Sequence, residues 1–296
     1  MKYINYCPIC NSKKLIAYSG ITVPFIADRV WNTKPLETKF MRCKNCGFEF
    51  YDLRMEEEEI AALYKSWRGD KYLKQRQKYE PKYTREFNKQ VGHHPMAIKN
   101  KKSNLSKIIK DHIPGVDSVK SILDFGGDKG QYIVDDFINA EKYVYDISGV
   151  ELVEGVKRIS DFNKKFDFIM CCHILEHISY PREILDQVKK FSHKNTIFYF
   201  EVPIDTPFKF PITSVRRIVK KILLSNPLFC NCFYKIFKFI PWMPFPLYMH
   251  EHVNYFSIRS LSYLIASSGL KIRYIGIKPI DFGFYIQDTI GCLASF

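Results

Sequence analysis

The stretch Ser121-Ile122-Leu123-Asp124-Phe125-Gly126-Gly127-Asp128-Lys129-Gly130 constrains this chain more than any other. A short apolar run meets a glycine-rich turn, and a helical pattern follows over residues 131–138. Strand, glycine loop and helix in that order form the opening unit of a doubly wound α/β sheet. Glycine has no Cβ and tolerates positive φ, so backbone N–H groups in such a loop can approach a ligand closely. A helix beginning behind the loop would turn its N-terminus towards the same ligand. The next strand, residues 142–145, ends in Asp146, 16 positions after Gly130, where an acid is placed to accept hydrogen bonds from a ribose. A GxGxxG dinucleotide fingerprint is absent, because Asp128 follows the two adjacent glycines, so a nicotinamide cofactor is the less favoured reading.

The segment ILDFGGDKG resembles the first motif of class I S-adenosylmethionine-dependent methyltransferases, in which an acid ends the first strand before a glycine-rich turn. Residues 166–178, FDFIMCCHILEHI, resemble that family's fourth-strand motif with its LEH ending. Pro181 then precedes a helical stretch over 182–191, and a fifth strand is read at 196–202. The resemblance runs continuously over about 121–202. It implies a mostly parallel, seven-stranded, Rossmann-like sheet. Asp124 and Gly126 would approach the amino-acid half of S-adenosylmethionine, with Gly127, Asp128 and Gly130 completing the loop. Asp146 would take the ribose, Asp161 and Phe162 the adenine, and His173 would lie near the transferring methyl. The family commonly carries a further glycine where Asp128 stands.

Nine cysteines are present, an odd number, and the start MKYINYCPIC has no features of a secretory signal. Metal binding is therefore favoured over a disulfide framework. Cys7-Pro8-Ile9-Cys10 and Cys43-Lys44-Asn45-Cys46 are two CxxC knuckles, each able to aim two thiolates at one ion. The 32 residues between them are a long spacer, in which residues 22–40 form an inserted strand or loop. Four sulfur ligands leave no open position, so the expected Zn²⁺ is structural. The plainer alternative is two unrelated turns with free thiols.

The acceptor side is read from residues 248–257, YMHEHVNYFS, ahead of a helical segment at 258–268. Together with the CxxC pairs, this HEHVNYFS segment resembles a methyltransferase subgroup with a zinc-binding N-terminal module. That subgroup acts on sugars and includes C-methyltransferases of nucleotide-linked keto-sugars. Forming a carbon–carbon bond beside a ketone requires a base and a stabiliser of the enolate. His252 is the candidate base, Glu251 its orienting partner, and His173 or Tyr255 the groups polarising substrate oxygens. Two other readings were weighed. His250 and His252 can alternate across the two faces of a strand with no chemical role. Alternatively His250, His252 and His177 can ligate a catalytic metal, for which the spacing supplies no nearby carboxylate. Glu176 and His177 are expected to anchor the loop after the fourth strand.

With 296 residues the chain can build one main core plus a small module. Five segments are expected: a zinc-binding module at 1–54, a helical cap at 55–120, the cofactor core at 121–205, a basic amphipathic insertion at 206–247, and a substrate-site segment with a terminal antiparallel hairpin at 248–296. The formal charge of +14 is compatible with an anionic membrane surface, a phosphorylated substrate or nucleic acid. The insertion can lie on a membrane or close over a substrate diphosphate. An RNA methyltransferase is less favoured, because the basic residues are spread along the chain and no RNA-binding motif is present. A non-catalytic cofactor-binding protein is the remaining alternative. No segment reaches the roughly 20 apolar residues needed to span a bilayer. The default location is the cytoplasm, with a peripheral position on the inner membrane surface open to the basic insertion.

Overall fold

The computed structural model describes residues 1–90, 93–159, 163–205, 247–282 and 285–296. Asp161 and Phe162, and the basic insertion over 206–246, lie outside the described residues.

The N-terminal part runs β1 (Lys2–Tyr3), β2 (Leu15–Thr22), α1 (Pro24–Trp31), β3 (Glu37–Cys43), β4 (Glu49–Tyr51) and β5 (Leu53–Arg54). The spacer between the CxxC pairs thus contains β2, α1 and most of β3. Proline at the first turn of α1 suits a position whose N–H has no intrahelical partner. Four helices follow: α2 (Glu57–Tyr64), α3 (Asp70–Tyr79), α4 (Arg85–Gln90) and α5 (Pro95–His112). At the start of α2, Glu56 and Glu59 form a reciprocal capping box.

The central sheet contains β6 (Ser121–Phe125), β7 (Glu141–Tyr145), β8 (Val156–Arg158) and β9 (Phe166–Cys172), then β10 (Ser192–Pro203) after α6 (Pro181–Lys190). Two very short strands, β11 (Tyr248–Met249) and β12 (Asn254–Tyr255), precede α7 (Ile258–Ser267) and the hairpin β13 (Lys271–Asp281) and β14 (Ile286–Ser295). Seven strands lie in the order β13-β14-β10-β9-β6-β7-β8. Their pairings are parallel except for β14, which runs against both neighbours. This is the expected doubly wound, Rossmann-like methyltransferase sheet with its terminal antiparallel hairpin. The order reverses beside β6, and the carboxyl ends of β6 and β9 diverge there to leave a crevice.

Period-two alternation distributes the core between the two faces. Leu123, Ile169, Cys171, Phe198 and Phe200 face α6 and α7, where Leu185, Val188, Leu261, Leu264 and Ile265 are buried. Ile122, Phe168, Met170 and Tyr199 face α5 through Leu105, Ile108 and Ile109. Burying each such side chain contributes about 2 kcal/mol. The cysteine knuckles join the first of these clusters through Cys7, Ile9, Cys43, Cys46, Phe48 and Phe50.

One expectation fails here. Residues 131–140 form turns, not a helix. Only ten residues link Gly130 to β7. As a helix they would span about 15 Å, which leaves nothing for the turns needed at each end of a strand of similar length. Ile133, Val134 and Phe137 instead drop directly onto the sheet beside Val144 and Phe168. The glycine loop is therefore not backed by a helix dipole.

Candidate active site

A cavity of about 1320 Å³ opens at the carboxyl ends of β6, β7, β9 and β10, lined among others by Asp124, Gly126, Asp146, His173, His177 and His252. Gly126 (φ +72°) donates its N–H to the Tyr145 carbonyl at 2.7 Å, which turns the chain out of β6. A Cβ at Gly126 would meet Ile174 Cδ1 at 2.2 Å, and one at Gly127 would meet Asp124 Cγ at 2.3 Å. Asp128 takes the left-handed conformation (φ +54°) that the family's additional glycine would adopt freely, and aspartate is among the residues that tolerate it. Its N–H donates to Asp146 Oδ2 at 2.9 Å, while the Ser148 N–H donates to Asp146 Oδ1 at 2.7 Å. Asp146 is thereby fixed beside the loop.

Asp124 is 2% exposed, and its Oδ2 has no hydrogen-bond partner among the described residues. Burial, reinforced by the neighbouring Asp146 charge, raises its carboxyl to about 7. His173 (φ +56°) places Nε2 3.0 Å from Glu201 Oε1 and Nδ1 3.2 Å from Glu176 Oε1. Burial and Lys101 act to lower its pKa, but the two carboxylates outweigh them and raise it. An acid thus faces each ring nitrogen of His173. Lys101 Nζ stands 3.7 Å from the same Glu201 oxygen and 4.3 Å from the Tyr132 ring centre.

The HEH segment is divided among different partners. His250 accepts the Glu251 N–H on Nδ1 at 2.8 Å and donates from Nε2 to Glu80 at 2.7 Å. The Glu251 carboxylate accepts from the Tyr72 hydroxyl at 2.6 Å and from Arg76 at 3.1 Å. It does not orient His252 as expected, because the chain bends at Glu251 and its carboxylate is taken up by Tyr72 and Arg76 of α3. Asp205 fills that place, its Oδ2 accepting from His252 Nδ1 at 2.8 Å. Tyr255, expected at substrate oxygens, donates its hydroxyl to the His252 carbonyl at 3.2 Å and packs edge-on against Phe40 and Tyr51. His252 itself faces the cleft, with its ring centre 4.6 Å from that of His177. Burial is the main cause that presses His177 down to about 4.

Asp205, Glu201 and Lys101 escaped the sequence reading. Asp205 closes β10 as Asp146 closes β7, and an acid just past a parallel strand is a signal that applies to every strand of such a sheet. Nothing in the sequence marks Lys101 on α5.

At the opposite end of the HEH segment the four cysteines converge. Cys7 and Cys46 Sγ are 3.6 Å apart, Cys10 and Cys43 Sγ 3.5 Å, and all four sulfurs lie within 4.8 Å of one another. A hydrogen bond from Cys7 is the main cause that draws Cys46 down to about 5. The sheet they anchor has the order β11-β2-β3-β4-β12, so both strands flanking the HEH residues belong to it.

Three solved structures illustrate the likeness to known proteins. The glycopeptide N-methyltransferase MtfA is 10% identical with a TM-score of 0.41, over 66% of this chain and 90% of that one. Coclaurine N-methyltransferase is 10% identical with a TM-score of 0.42, over 66% and 70%. The magnesium protoporphyrin IX methyltransferase ChlM from Synechocystis PCC 6803 is 14% identical with a TM-score of 0.40, over 76% and 96%. No curated protein sequence matches the chain significantly. The family model described as "Methyltransferase domain" matches residues 72–275, more than half of the chain and the span that holds the glycine loop, the imidazole cluster, five strands of the central sheet and the start of β13. The chain therefore belongs to the methyltransferase-domain family.

Proposed function

We propose that this protein transfers the methyl group of S-adenosylmethionine to a small acceptor, with nucleotide-linked keto-sugars as the substrate class. The observation that carries the reading is one cavity lined both by the glycine-rich, acid-bearing loop and by the imidazoles of His173, His177 and His252. The residues fit the cofactor: the loop packs so closely on Ile174 and Asp124 that no Cβ fits at Gly126 or Gly127, and Asp124 is a buried carboxylate with an oxygen unmet among the described residues. Asp124 would receive the cofactor's ammonium group and Asp146 its ribose hydroxyls. When bound, the cofactor supplies a methyl group made electrophilic by its sulfonium.

The protein's own part is to hold the acceptor in line with that methyl and to exclude water. The acceptor step centres on His252, whose ring Asp205 fixes with Nε2 unengaged by that bond. The sugar assignment draws on the shared order of cysteine module, cofactor domain and HEHxxYF segment. It also draws on the sheet that joins the first of these to the last. A structural Zn²⁺ on Cys7, Cys10, Cys43 and Cys46 would hold that sheet together.

Incubation with methyl-labelled S-adenosylmethionine, a panel of nucleotide sugars and cellular RNA tests the proposal. Label in a sugar product, identified by mass, is expected. Label in RNA alone would overturn the acceptor class, and no cofactor binding by calorimetry would overturn the whole reading.

A further inference from the structure

We propose that Glu176, His177 and His252 form a divalent metal site that opens onto the cleft and takes an oxygen of the acceptor. The inference rests on the cleft being the acceptor site, and it gives His252 the role of a ligand.

The three side chains offer one ligand atom each, all within 4.8 Å of one another. Donors on a tetrahedral first-row ion at about 2.1 Å sit roughly 3.4 Å apart, so the cluster needs to close by about an ångström. Both imidazoles are prepared for this. A carbonyl can only accept, so the 3.1 Å contact between His177 Nδ1 and the Glu251 carbonyl puts the proton on Nδ1 and leaves Nε2 bare. The Tyr64 hydroxyl, 2.9 Å from the same Nδ1, holds the ring from a second side. Asp205 fixes His252 in the same tautomer. Imidazole ligands characteristically donate their second N–H to a carboxylate or a backbone carbonyl in this way.

Glu176 supplies the independent observation. It is 1% exposed, and neither carboxylate oxygen has a hydrogen-bond partner among the described residues. His173 lies 3.2 Å from one oxygen without hydrogen-bond alignment and is shared with Glu201, while His177 Nε2 stands 4.0 Å away. A buried carboxylate whose oxygens accept no hydrogen bond among the described residues, with two imidazole nitrogens beside it, is a donor set that fits a divalent cation. His250, the histidine adjacent in sequence, is excluded because both its nitrogens are used.

Three protein ligands leave coordination positions for a substrate oxygen, unlike the closed four-sulfur cluster. Two imidazoles and one carboxylate suit Zn²⁺, Mn²⁺, Fe²⁺ or Co²⁺ better than Mg²⁺ or Ca²⁺. A ketone or hydroxyl oxygen of the acceptor bound there would be both positioned and polarised.

Metal analysis of the full chain, stripped of cleft metal by mild chelation and titrated with Co²⁺, tests the site. The expected result is uptake of one equivalent outside the thiolate cluster, without sulfur-to-cobalt charge-transfer absorption. That equivalent should be lost in His177→Ala, His252→Ala and Glu176→Gln. Should Glu176→Gln fail to fold, the two histidine variants decide, with S-adenosylmethionine binding as the check on folding. Uptake unchanged by the histidine substitutions, or no uptake outside the thiolates, would overturn the site. Label transfer measured on the same protein separates the two proposals. Methyl transfer without this equivalent sinks the metal site, keeps the methyltransferase reading and returns His252 to the role of base. Uptake without cofactor binding keeps the site and sinks the reading.

Discussion

A Cβ on Gly127 would come within 2.3 Å of the Asp124 Cγ, so the glycine loop and the buried carboxylate are packed as one piece. Gly127→Ala must push either the loop or the carboxylate aside. The expected result is a loss of S-adenosylmethionine affinity of roughly tenfold or more, about 1.4 kcal/mol, with the fold retained. Calorimetry checks it, and unchanged affinity would remove the loop from the cofactor site.

Asp124 makes the apoprotein sensitive to pH. Burial, then Asp146, raises it from 3.8 to about 7, so the folded state keeps a proton that the unfolded chain releases. A raised carboxyl therefore removes stability as pH climbs from about 4 to 7. Asp124→Asn should flatten the fall in Tm across that window. In the wild type, binding a cationic cofactor near pH 7 should release a proton, seen as a dependence of calorimetric heat on buffer ionisation enthalpy. The asparagine variant should bind more weakly and release none.

Cys43 ends β3, the middle strand of the sheet that also holds β11 and β12. Cys43→Ser should lower zinc content and loosen the HEH segment while sparing the glycine loop, which belongs to the other sheet. Methyl transfer is expected to be lost with cofactor affinity changed by only a few-fold. Full turnover in this variant would show that the module does not support the acceptor end.

Arg54 is fully buried, donating to Asn254 Oδ1 at 2.8 Å and to the Val253 carbonyl at 3.3 Å. Arg54→Ala strands those acceptors and opens a cavity, at a cost of about 3–5 kcal/mol. Lysine should not restore it, because a single ammonium cannot replace the planar fork. Thermal unfolding of both variants gives the answer.

Asp205 is expected to act through His252. Asp205→Asn should weaken Co²⁺ uptake at the cleft by about 10- to 100-fold, as changes to outer partners of metal ligands do, while leaving cofactor affinity intact. Equal uptake in wild type and variant would separate Asp205 from the metal site.

The sheet was legible in the sequence because apolar runs of strand length alternate with helical patterns, and each acid or glycine falls at a strand end. The same logic failed at 131–140, where apolar residues at helical spacing mimic a helix that the short connection cannot accommodate. The acceptor end was only half legible. The sequence drew attention to HEH, but Asp205 took the place expected of Glu251, since the bend at Glu251 turns its carboxylate to Tyr72 while β10 brings Asp205 to His252.

Local order alone determined the glycine loop and the CxxC knuckles, because each depends on residues a few positions apart, and one strand–turn–strand unit set the Asp124 and Asp146 pair. Only the tertiary structure decided that β11 and β12 join the cysteine module's sheet and that Glu176 lies among His177 and His252. Those residues come from β9's exit and from a segment more than seventy positions later. No spacing rule links them, and the Val253 and Asn254 N–H groups, donating to the Glu176 carbonyl, bring them together.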